Sequence, residues 1–69
     1  METNKVYLLF AGYHDVATAS DVLNMYSINN DIVRTPISMG RGCSFSVRIS
    51  ETDEAMSRYV LGTKGIKMI

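Results

Sequence analysis

The chain contains one cysteine, one proline, one histidine and no tryptophan in 69 residues. A single cysteine excludes an internal disulfide and fits a reducing compartment. One Cys and one His fall short of the four ligands of a structural zinc site within one chain, so no metal is expected. The formal net charge is zero, without the basic excess of a general nucleic-acid binder. The apolar run at residues 6–11 is far too short to span a bilayer or serve as a signal. No phosphate loop, dinucleotide fingerprint or nucleophile elbow is present. A complete enzyme active site and a bound cofactor are therefore not expected. The expectation is a cytoplasmic protein that binds neither nucleic acid nor membrane.

The remaining composition is that of a globular chain, with 46% hydrophobic and 20% charged residues. This length is near the lower limit for a chain that folds alone, so residues 1–69 should form a single small domain. Burying one face in a homodimer would help so small a core.

Val6-Tyr7-Leu8-Leu9-Phe10 is a continuous apolar run closed by Gly12. It reads as a strand buried on both sides, hence a central one. Over residues 13–27, Val16, Ala19, Leu23 and Tyr26 recur at helical spacing. Gly12 is the expected N-cap, Asp15 suits the first turn, and Asn29-Asn30 should end the helix. A second strand is read over residues 32–37, at an edge because it carries Pro36. Residues 44–49 alternate cleanly: Phe45, Val47 and Ile49 to one face, Ser44, Ser46 and Arg48 to the other. Ser50-Glu51-Thr52-Asp53 resembles a capping box. The helix after it should turn Ala55, Met56, Tyr59 and Val60 inward and stop at Gly62. Gly65-Ile66-Lys67-Met68-Ile69 offers a short last strand. This order predicts an α+β, ferredoxin-like βαββαβ two-layer sandwich, with both helices on one face of an antiparallel sheet.

In that topology a five-residue loop, residues 38–42, joins the second and third strands. Thr35 would face Phe45, Val33 would face Val47, and Cys43 would point to the helix side. The first helix then begins at the loop end of the sheet, which would gather His14, Arg41, Lys64 and two glycines. Asp31, Glu51, Asp53 and Glu54 fall at the other end. A helix N-terminus and nearby cations favour a thiolate, with Arg41 and His14 as electrostatic support for Cys43. Gly40, Arg41, Gly42 and Lys64 are also candidates for an anion-binding loop. The bland reading of Cys43 is a small buried hydrophobe.

The chain resembles the selenium/sulfur carrier-like family of small domains. The resemblance lies in Leu8-Leu9-Phe10, the helix over residues 16–28, the proline-bearing strand 32–37, and Gly42-Cys43 leading into Phe45-Ser46-Val47. It covers most of residues 6–49. The family's run before the cysteine is typically serine-rich and a glycine commonly follows; here Gly40-Arg41-Gly42 precedes and Ser44 follows. The resemblance implies that Cys43 carries sulfur or selenium as a persulfide or selenopersulfide, with a donor or acceptor protein as partner. The alternative is a non-catalytic interaction or regulatory domain that uses either a polar sheet face of Arg34, Ser44, Ser46 and Arg48 or a dimer interface, with the cysteine structural.

Overall fold

The pattern resolves into five regular elements in a computed structural model that describes residues 4–39 and 44–69. These are β1 (Lys5–Leu9), α1 (Tyr13–Met25), β2 (Asn30–Arg34), β3 (Phe45–Ser50) and α2 (Glu54–Thr63). Single 3-10 turns occupy Ile37–Met39 and Glu51–Asp53. The fold is α+β, with a three-stranded antiparallel sheet in the order β1-β3-β2. Among the described residues, no helix is long and apolar enough to cross a membrane.

β3 is the central strand, and its alternation is the one read from sequence. Val47 is 0% and Ile49 1% exposed, in one cluster with Leu8, Phe10, Val16, Ala19, Leu23, Val60 and Leu61. Each large aliphatic side chain buried this way contributes about 1.5–3 kcal/mol. β1, expected to be central, is an edge strand because no fourth strand forms beside it among the described residues. Residues 65–69 instead make a turn and a tail. Ile66 and Met68 pack on the core, and the Ile69 N–H donates to the Leu9 carbonyl (2.9 Å).

The cause lies in how α2 ends. Gly65 has φ 75°, its N–H donates to Gly62 (3.1 Å), and the Ile66 N–H donates to Leu61 (3.0 Å). That is a Schellman cap, with Gly65 in the left-handed conformation. The cap consumes Gly65 and Ile66, leaving a single rung at Ile69. Gly62, expected to stop the helix, lies inside it, and an added Cβ there would meet nothing within 4 Å.

α1 closes the same way one residue type earlier than expected. Ser27, not an asparagine, takes φ 58°, with Ile28 N–H to Leu23 (2.9 Å) and Ser27 N–H to Asn24 (3.0 Å). A non-glycine residue there costs about 1 kcal/mol. Asn30 has a different task. Its amide nitrogen donates to Asn24 Oδ1 (2.8 Å) and the Ile28 carbonyl (2.9 Å), and its Oδ1 accepts from Ser20. It binds helix to strand.

Two further expectations are corrected. Ser50 ends β3 and caps only the 3-10 turn, with no side-chain cap bond, so the capping box is not made. α2 therefore starts at Glu54, and its buried face is Ser57, Val60 and Leu61. Met56 (55%) and Tyr59 (71%) are exposed, as is Ala55. Small Ser57 takes the inward position, where α1 and α2 pack against each other.

The two glycines at the C-terminal end of α2, one inside the helix and one beyond its cap, should respond oppositely to alanine. Gly62→Ala is expected to stabilise by about 0.5–1 kcal/mol through helix propensity. Gly65→Ala should destabilise by about 1 kcal/mol, because a β-carbon is strained at its positive φ. Urea unfolding measures both, and equal effects of one sign would contradict the assigned cap.

Candidate functional site

Gly40, Arg41, Gly42 and Cys43 lie outside the described residues, as does the predicted facing of Cys43. The described part is the frame that holds them. The β2–β3 ladder pairs Arg34 with Phe45, Val33 with Ser46, Ile32 with Val47 and Asp31 with Arg48. This differs by one residue from the expected register of Val33 with Val47 and Thr35 with Phe45. The reason is that Ile32 takes the helix-side place beside Val47, and a one-residue slip exchanges the faces of a whole strand. β2 also ends at Arg34 rather than Ile37, with Pro36 beyond the ladder and Ile37 in the 3-10 turn. The hairpin is then extended by one bond, Thr35 N–H to the Ser44 carbonyl at 2.7 Å.

Phe45, two residues after the cysteine, is held from two sides. Tyr13, the first residue of α1, meets its ring edge-to-face, with centroids 5.6 Å apart and planes at 79°. The Arg34 guanidinium lies 5.5 Å from the Phe45 ring centroid. The aromatic pair contributes about 0.5–1.5 kcal/mol beyond burial, and the cation adds about 0.5–1 kcal/mol at such an exposed place. The contact agrees with the expected position of the α1 start: β1 and β2 both run antiparallel to β3, so α1 begins at the loop end.

Gly12 is the N-cap of α1, as expected, with φ −148°. That is ordinary extended backbone, so the cap does not require glycine. His14 follows Tyr13 in the first helical turn and is exposed. Lys64 is the C-cap of α2 and also exposed. α2 starts where β3 leaves the far end of the sheet and runs back, so Lys64 closes it on the loop side. Ile37, at 98% exposure, and Tyr13, at 53%, present apolar surface beside the loop. Tyr13 and Phe45 were assigned no role at the site, and Arg34 was read onto the polar sheet face instead. The signal available was the spacing of Phe45 from Cys43 together with a tyrosine directly after the capping glycine.

The sheet's outer face differs from the one expected. Arg34 lies toward the helix side with Phe45, and Ser46 is 0% exposed between Leu9 and Val33, its cross-strand partners. Arg48 and Asp31 remain, joined at 3.2 Å. Hydrogen bonding to Asp31 first, and to Tyr7 second, holds the Arg48 guanidinium above its ordinary pKa.

The model of the family described as Putative Se/S carrier protein-like matches residues 5–68. The chain belongs to that family. No curated protein and no solved structure matches it.

The clamp on Phe45 is testable by a double-mutant cycle with Tyr13→Leu and Phe45→Leu. The expected coupling is about 0.5–1.5 kcal/mol in unfolding free energy. Strict additivity would mean that the rings are neighbours without mutual stabilisation.

Proposed function

We propose that this protein is a cytoplasmic sulfur or selenium carrier and that Cys43 is the acceptor. Family membership supports the carrier class, and the observation that carries the reading is the clamped hairpin mouth. Thr35 bonds Ser44, and Tyr13 and Arg34 brace Phe45. The braced residues on either side of positions 40–43, Thr35 and Ser44, are thereby fixed at the end of the sheet where α1 begins. Arg41 and His14 support the thiolate electrostatically. The architecture is ferredoxin-like up to its missing last strand.

The chemistry needs no cofactor. The Cys43 thiolate attacks the outer sulfur of a donor persulfide, the donor thiolate departs, and a Cys43 persulfide forms. An acceptor thiolate later takes the same sulfur and releases the Cys43 thiolate. One thiolate is consumed and one released at each step, and the sulfur keeps its oxidation level. The selenium case runs the same way. Ile37 and Tyr13 offer the apolar contacts, and Arg34 the charge, for a donor or acceptor protein.

With a sulfane-sulfur donor such as glutathione persulfide, wild type should acquire one extra sulfur atom by intact mass, reversed by dithiothreitol. Cys43→Ser should acquire none. Equal labelling of both proteins, or a thiol that reacts with iodoacetamide only after unfolding, would remove the carrier reading.

A second reading, an interaction domain that forms a homodimer, is favoured by the outer sheet face. Among the described residues no helix covers it, and Tyr7, Leu9 and Val33 lie half-buried there around Ser46. Light scattering should then give twice the 7.7 kDa chain mass, and Val33→Lys should return it to the monomer. A wild-type monomer at high concentration would exclude this reading.

A further inference from the structure

A cavity of about 550 Å³ opens at the end of the sheet away from the cysteine loop. Its lining includes Lys5, Asn29, Asp31, Arg48, Ser50 and Asp53. Lys5 and Arg48 supply two positive charges and Asp31 and Asp53 two negative ones, so the charged lining sums to zero. Two of these charges are paired with each other, and two are not. Lys5 pairs with Ser50 across β1 and β3, which makes Arg48, two residues earlier on β3, its diagonal neighbour on the same face. Asp31 lies beyond Arg48 on β2, and Asp53 lies in the turn after β3.

Arg48 and Asp31 largely answer each other at 3.2 Å. Lys5 and Asp53 do not: neither makes an ion pair or side-chain hydrogen bond among the described residues. Asp53 stands at the N-cap of α2 without a capping bond. A lining that is neutral in sum draws neither a lone anion nor a lone cation strongly. A molecule carrying both charges gains at both ends.

We propose that this cavity binds a small zwitterion of the free α-amino acid class. The carboxylate meets Lys5, and the ammonium meets Asp53 and the Asn29 amide oxygen; the Ser50 hydroxyl is held 3.0 Å from the Thr52 hydroxyl. Exposed ion pairs are weak, so the affinity is in the millimolar range. The site is remote from the residues flanking Cys43 and stands or falls independently of the carrier reading.

The test is a chemical-shift titration of nitrogen-15-labelled protein with alanine at constant ionic strength. Saturable shifts are expected at the amides of residues 29–31 and 48–50. Acetate alone and methylammonium alone should give none that saturate. Lys5→Gln and Asp53→Asn, both surface changes whose spectra also verify the fold, should each weaken binding about fivefold. The proposal is overturned if alanine gives no saturable shift, if either half-molecule reproduces it, or if both variants bind like wild type.

Discussion

The constraint on which the structure depends is the position of β3 between two strands that run opposite to it. Every ladder bond of the sheet involves β3, and its Val47 and Ile49 are almost wholly buried beneath the helices. Because β1 and β2 are both antiparallel to β3, they are parallel to each other. The helix that follows β1 must then start at the end where β2 turns back. A local pairing rule thus brings together a helix N-terminus and a hairpin mouth that lie about thirty residues apart in the chain.

The same constraint distinguishes the two ends of the sheet. The chain leaves β2 and enters β3 at the loop end, and it enters β2 and leaves β3 at the far end. The far end holds Asp31, Glu51, Asp53 and Glu54 with Lys5 and Arg48; the loop end holds Arg34 and Lys64 with Asp15 and His14.

Much of this was legible in the sequence, for identifiable reasons. Phe45-Ser46-Val47-Arg48-Ile49 alternates without exception, so β3 and its buried face were readable. The helical spacing of Val16, Ala19 and Leu23 likewise gave α1. Features set by backbone conformation were harder. Ser27 occupies a left-handed position that composition would assign to Asn29 or Asn30, and the Schellman cap at Gly65, rather than Gly62, erased the fourth strand. The β2 register was misread by one because Ile32 and Val33 are equally apolar, and only the pairing decides which faces the helices. Cys43 was legible as a candidate from its uniqueness and its setting. The brace of Tyr13 and Arg34 on Phe45 was not, because it joins three elements and no local spacing encodes it.

The lost fourth strand also leaves β1 with a bare side. By alternation, the backbone groups of Lys5, Tyr7 and Leu9 point away from β3, and among the described residues only the Leu9 carbonyl finds a partner there, in Ile69. An exposed strand edge is a template for uncontrolled chain-to-chain growth, and proteins blunt it with charge or with a covering segment. Here Lys5 guards one end and the tail plugs the other, so the gap is narrowed to the stretch around Tyr7. The tail thus acts as a gatekeeper: it protects a small protein from polymerising through its own sheet, at the cost of a single hydrogen bond's worth of structure.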